Sequence, residues 1–147
     1  MCRRARIVVM GLLAVGVLVF AAAGCGSSPS EPSDYAPYSQ TDLVFGDGAS
    51  AETGKTLTMN YSGWFYDPTV ADRKGVQFTA SSLSGPIVFV AGGGSVIAGW
   101  EQGVIGMKEG GTRRLVIPPS LAYGPNRFSA IPPNSTLVFD IELLKVE

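Results

Sequence analysis

The residues that could do chemistry in this chain are few, and most of them are rings. The stretch "LAYGPNRFSAIPPNSTLVFDIELL", Leu121 to Leu144, carries a tyrosine, two phenylalanines, a proline pair and a long apolar run. Its only proton-transfer group with any claim on a pocket is the phenol of Tyr123. The chain has no histidine, which removes imidazole metal sites, Ser-His and Cys-His nucleophile pairs and the usual base near neutral pH. Its two cysteines, Cys2 and Cys25, both precede the expected folded domain, so they can neither staple that domain nor cluster around zinc. No metal and no cofactor are expected.

The elements that must position these residues follow from patterning. The segment "TLTMNYSGW", Thr56 to Trp64, alternates, with Leu57, Met59 and Tyr61 on one face, which predicts a half-buried strand. Tyr66 to Gly75 is a polar loop with Pro and Gly punctuation. "VQF" starts a further strand, and "PIVFVAG" is a short, mostly buried one. "GGGSVIAGWEQGVIGM" is the one segment with helical spacing, at Val96, Trp100, Val104 and Met107, and Ser95 is its expected N-cap. Gly99 and Gly103 weaken that helix in isolation, so it needs a sheet to pack on. "TRRLVIPP" is a strand closed by prolines, with Arg113 and Arg114 expected on a solvated edge. In the last strand Leu137, Phe139, Ile141 and Leu143 share one face, and Asp140 and Glu142 the other. Glu101, Lys108 and Glu109 are expected at the surface. The fold class is therefore α+β: a twisted antiparallel sheet wrapped around one short helix.

The N-terminus has another composition. Arg3, Arg4 and Arg6 precede an apolar run, Ile7 to Ala23, and then "AAAGCGSS". This is the three-part plan of an export signal, with a site that resembles a bacterial lipobox around Cys25, although Ala22 stands where Leu is usual. The expectation is a signal peptide at 1–24, a lipidated Cys25 and a Ser/Pro-rich tether over 25–40, with the folded domain at 41–147. A signal anchor left as a membrane helix is the alternative, since the run is at the short limit of roughly 17–25 residues for spanning. Residues 26–40 could reach up to ~45 Å at ~3.1 Å per residue, or form a leader with no spacing role. Without residues 1–24, which hold three of the eleven basic and none of the twelve acidic residues, the net charge is −4 once the new amine is acylated. An acidic domain is a poor ligand for phosphate backbones, and no nucleic-acid partner is expected. "GKT" at Gly54 to Thr56 imitates the end of a P-loop, but the earlier glycine is out of register and a strand follows where a helix is needed.

Five segments, "YSGW", "QFTAS", "SVIAGWEQGVIGMKEGG", "RRLVIPPSLAYG" and "AIPPNSTLVFDIELL", together resemble the FKBP-type peptidyl-prolyl cis/trans isomerases in order, spacing and residue type, from about Asp42 to Glu147. The resemblance implies a hollow with Trp100 as its floor. Tyr61, Phe78 and Phe139 would be its walls, and the Tyr123 hydroxyl would face the substrate carbonyl. Thr79, Ile87, Phe89, Val96, Ile97 and Ile131 would complete the binding surface, Ile131 at the rim. Phe89, Val96 and Met107 also read as ordinary core. Three departures stand out. Thr79 occupies the position of an aspartate that usually follows the wall phenylalanine. Ile87 replaces a common aromatic. The 66–75 loop is longer than in the minimal domain.

The physics of the implied reaction fits rings without acids. Rotating a peptide bond costs roughly 18–20 kcal/mol because resonance is lost. Before proline the two ground states differ by only about 0.5–1 kcal/mol. A dry, ring-lined site disfavours the planar, dipolar amide more than the twisted one, which is differential binding of the transition state. The expected partners are X-Pro segments of exported proteins and rapamycin-like macrolides, with membrane contact through the lipid and a monomeric state in the bacterial cell envelope. The alternative from another class is a non-catalytic chaperone or Pro-peptide binding module on the same fold.

Overall fold

The computed structural model describes residues 35–147. The segment expected to be an export signal, Cys25 and most of the Ser/Pro stretch lie outside the described residues. Among the described residues no helix is long and apolar enough to cross a membrane.

Among the described residues six antiparallel strands form one sheet: β1 (Ser39–Val44), β2 (Thr56–Tyr66), β3 (Lys74–Ala80), β4 (Ile87–Val90), β5 (Thr112–Ile117) and β6 (Leu137–Val146). The order is β1-β5-β6-β2-β3, with β4 also paired to β2. The eleven-residue β2 is long enough to serve two neighbours on one edge. Thr56 to Met59 pair with β4, and Ser62 to Tyr66 pair with β3. Between these partners the chain makes a short helix, α1 (Ser81–Ser84). A second helix, α2 (Ala98–Val104), crosses the inner face, and a 3-10 turn covers Pro119–Leu121.

The alternation predicted for β2 and β6 sets the core. Leu57, Met59, Leu137, Ile141 and Leu143 are fully buried, and Leu115 and Ile117 from β5 join them under Trp100 and Val104 of α2. Burying each such side chain contributes about 1.5–3 kcal/mol. Helix α2 lies close against β5 because two glycines face it. A Cβ on Gly99 would sit 2.4 Å from Ile117 Cγ2, and one on Gly103 2.7 Å from Leu115 Cδ1. The residues that weaken this helix alone are thus the ones that let it dock.

Several expectations are corrected. The helix starts at Ala98, with Ile97 rather than Ser95 in the N-cap position, and no side chain caps it. Glu101 instead reaches back from the first turn, and its carboxylate accepts the N–H groups of Gly92 (2.5 Å) and Gly94 (2.8 Å). Those two glycines have φ of +78° and +70°, so the loop entering the helix is a glycine turn tied down by a charged acceptor. Glu101, Lys108 and Glu109 are at least partly exposed, as expected, and Glu109 also makes a backbone tie, its Oε1 accepting Val146 N–H at 2.5 Å. The arginines do not lie on a solvated edge. Arg113 is buried. It donates to Asp42 through Nε (2.6 Å) and Nη2 (3.2 Å), and to the carbonyls of Gly103 (2.7 Å) and Ile105 (3.1 Å) at the end of α2. Five fixed donors suit that site, where a lysine point charge would not. The folded region also begins before Thr41: β1 starts at Ser39, and Tyr38 packs on the core and donates its hydroxyl to Gly99 O at 3.3 Å.

On the outer face, Arg114 (β5) forks onto Asp140 (β6) at 2.7 and 2.9 Å. Lys74 (β3) reaches the same carboxylate at 2.5 Å while lying 4.1 Å from the centroid of the Trp64 ring on β2. One carboxylate thereby ties strands on both sides of the sheet centre. Burial works against the charged form of Asp140, but the hydrogen bonds and charges of Arg114 and Lys74 outweigh it and hold its carboxyl below the usual range.

Candidate active site

At the end of α2 where Trp100 enters the core, the sheet, the helix and two loops leave an open hollow of about 560 Å³. That is within the size range of small-ligand sites. Each wall comes from a different element. Tyr61 is on β2, Phe78 and Thr79 on β3, Ile87 on β4, Trp100 on α2 and Phe139 on β6; Val96 and Ile97 come from the glycine turn, and Tyr123 and Ile131 from the loop between β5 and β6. Of the eleven expected pocket residues, ten line this hollow. The exception is Phe89, which is buried behind Trp100 with ring centroids 6.2 Å apart, so it supports the floor from beneath. Trp100 is 4% exposed and is the floor by position.

The rings are arranged edge to face. Trp100 meets Phe139 at 5.3 Å and 87°, and Tyr61 at 5.5 Å and 74°. Phe78 meets Phe139 at 5.7 Å and 83°, and is backed by Phe65 at 4.9 Å. Such pairs contribute about 0.5–1.5 kcal/mol each beyond their buried area and fix ring orientation. Gly63 makes the wall possible, because a Cβ there would lie 2.7 Å from both Phe139 Cε1 and Thr79 Cγ2. Trp100 Nε1–H is buried and has no acceptor among the described residues. An unpaired buried donor costs about 1–3 kcal/mol.

The polar groups at the site are all neutral. Tyr61 shares a hydrogen bond with Ser84 Oγ at 3.1 Å, and Ser81 Oγ accepts the Tyr61 backbone N–H at 3.0 Å, so α1 locks this wall in place. Tyr123 follows the 3-10 turn. Gly124, at φ +59°, closes back on Pro119 O, and its own carbonyl accepts Asn134 N–H at 2.8 Å. Burial pushes the Tyr123 phenol above its ordinary range, and nearby Tyr61 adds to the shift, so the phenol is a neutral hydrogen-bond donor at physiological pH. Among the described residues no charged side chain lines the hollow, and no cluster of three metal-ligating residues occurs. The arrangement can hold a compact apolar ring on the indole and offer one hydroxyl to a carbonyl. It holds no nucleophile poised against a base.

Four lining residues were not anticipated: Ser95, Phe128, Ser129 and Ala130. Phe128 is the consequential one, stacked on Tyr123 at 4.4 Å and 8°. Its proximity to Tyr123 in sequence is a signal, but "RFSA" carries no periodicity that would turn a loop phenylalanine inward.

The sequence profile described as FKBP-type peptidyl-prolyl cis-trans isomerase matches residues 48–144. The FK506-binding protein of Neisseria meningitidis serogroup B is 44% identical over 107 residues, covering 71% of this chain and 92% of that protein. FK506-binding protein 1 of Gibberella zeae is 44% identical over 108 residues, covering 73% of this chain and 96% of that one. Among solved structures, FkpA from Escherichia coli matches with a TM-score of 0.63 at 40% identity, over 75% of this chain and 48% of that one. The chain belongs to the FKBP-type peptidyl-prolyl cis-trans isomerase family. It spans about a fifth of the length of the longer curated relatives it matches, such as FK506-binding protein 4 of Gibberella zeae, whereas the Neisseria relative consists of little more than the shared domain.

Proposed function

We propose that the chain catalyses cis/trans isomerisation of X-Pro bonds in exported proteins, held at the membrane surface by a lipid on Cys25. The observation that carries the catalytic part is the convergence of Tyr61, Phe78, Trp100, Tyr123 and Phe139 on one hollow without a charged lining residue. The prolyl ring rests on the indole of Trp100, and the Tyr61, Phe78 and Phe139 rings enclose its sides. The Tyr123 hydroxyl orients the carbonyl on the rim side. Water is displaced from the imide, whose planar, dipolar form loses more by that than the twisted one. No proton moves. Uncatalysed isomerisation takes tens of seconds or longer, so a folding chain gains from even modest acceleration. The same hollow is the site for rapamycin-like macrolides.

The test of catalysis is a protease-coupled proline-peptide assay on residues 26–147. Acceleration above background supports the enzyme. Tight capture of Pro-containing peptide by folded protein with no acceleration supports a binding module instead. The anchor is tested separately: Cys25→Ala is expected to release the domain from membranes, and retention of the variant in the membrane fraction would identify the apolar run as a signal anchor.

A further inference from the structure

We infer that Phe128 is a positioning residue for Tyr123: its ring, held by a four-residue hairpin, fixes the plane of the phenol over the hollow. The inference rests on the isomerase reading above and assigns one more residue to that site. Phe128 and Tyr123 form the only parallel ring pair among the described residues; the other ring contacts are edge-to-face or tilted. Centroids 4.4 Å apart with planes at 8° leave the phenol little freedom to swing about its Cα–Cβ bond.

The backbone explains why an otherwise exposed ring stays there. Phe128 N–H donates to Ile131 O (3.2 Å), and Ile131 N–H donates to Phe128 O (2.8 Å). This two-bond closure, with Ser129 at φ +50°, makes residues 128–131 a tight hairpin. One end is anchored, since Ile131 is 5% exposed and belongs to the core. The other end carries Phe128, which is 54% exposed. A half-exposed phenylalanine adds little to the core, yet its inner face covers one side of Tyr123. The Tyr123 hydroxyl itself bonds no protein group among the described residues, in contrast to Tyr61, which is tied to Ser84. Tyr61 is therefore oriented by a hydrogen bond, and Tyr123 by stacking. A hydroxyl left unbonded keeps its donor free for an incoming carbonyl, and the stacked ring supplies the orientation that a hydrogen bond would otherwise give.

The test is a double-mutant cycle on residues 26–147, with Phe128→Ala, Tyr123→Phe and the pair. Phe128→Ala is expected to lower kcat by about three- to tenfold with KM within about twofold. In the Tyr123→Phe background the same substitution is expected to change kcat by less than about twofold, because the hydroxyl it positions is gone. Phe128→Tyr should restore the rate, and Phe128→Leu should not. An equal loss in both backgrounds, or no loss in either, overturns the inference. A second readout does not depend on catalysis: in the free protein the Tyr123 ring protons should move downfield in Phe128→Ala as the stacked ring current is lost. If the wild type shows no isomerisation, the functional reading falls, and unchanged Tyr123 ring signals in Phe128→Ala would sink this inference as well.

Discussion

The indole of Trp100 meets the ring of Phe139 edge-on, with centroids 5.3 Å apart and planes at 87°. One residue comes from the helix and the other from β6, the central strand of the sheet, so this contact joins the core to the floor of the hollow. Both are nearly fully buried. Phe139→Leu should keep the fold at a cost of about 1–2 kcal/mol, read as a lower urea midpoint. It should also lower kcat/KM by roughly three- to tenfold by freeing the Trp100 edge. An unchanged kcat/KM would place Phe139 in the core alone.

Gly103 sets how closely α2 approaches β5. On propensity alone Gly103→Ala would stabilise the helix by up to about 1 kcal/mol. The new Cβ would lie 2.7 Å from Leu115 Cδ1 and Cδ2. Overpacking of this kind costs about 1–3 kcal/mol, so net destabilisation is expected by thermal or urea unfolding. A stabilised variant would mean that the helix can shift without disturbing the floor.

Asp140 gives a pH-dependent term with a defined sign. Its carboxyl is held below the usual range in the folded protein, so its stabilising effect is present above the unfolded-state value near ~3.9 and is lost as pH falls through the lower folded-state value. Asp140→Asn should destabilise by about 1–2 kcal/mol at pH 7, between the limits for exposed and buried pairs. Urea unfolding from pH 7 to pH 3 should show the wild-type advantage shrinking below about pH 4. An advantage independent of pH would contradict the charge network.

Thr79 is half-buried in the wall and faces Gly63 across the β2–β3 pair. With no charge lining the hollow, wild-type kcat/KM should be nearly the same for peptides with Glu or Lys before proline, and insensitive to salt. Thr79→Asp should depress turnover of the Glu peptide by about two- to tenfold relative to the Lys peptide at low ionic strength, and added salt should narrow the gap. Identical ratios in both proteins would show that position 79 lies too far from the substrate to be felt.

The strands with a clear alternation are legible in the amino-acid sequence. Leu57 and Met59 on β2, and Leu137, Phe139, Ile141 and Leu143 on β6, are buried as their alternation requires. The ring set follows from family resemblance rather than from spacing, because convergence of β2, β3, α2 and β6 depends on pairing register that no local pattern encodes. The missed features share a physical cause. Arg113 is charged, so a local reading sends it to solvent; Glu101 and Glu109 do stay partly exposed, but a local reading shows none of their backbone ties. Their burial or ties depend on distant backbone groups, the Gly103 carbonyl, the Gly92 amide and the Val146 amide. Ser95 fits a cap by type, but the turn at Gly92 to Gly94 is satisfied by Glu101 and moves the helix start to Ala98. Phe128 lies in a segment without periodicity, and only the hairpin it closes with Ile131 turns it onto Tyr123.

The central claim is that this ring-lined hollow accelerates rotation about a prolyl bond without transferring a proton. It is tested most directly by NMR exchange spectroscopy on a proline peptide at equilibrium, with residues 26–147 added in catalytic amount. The account predicts cis–trans exchange that is faster than in free peptide, varies little between pH 6 and pH 8, and drops steeply in Tyr123→Phe combined with Phe139→Ala when that variant is still folded. Exchange no faster than in free peptide, with the wild-type domain folded and binding the peptide, would contradict it.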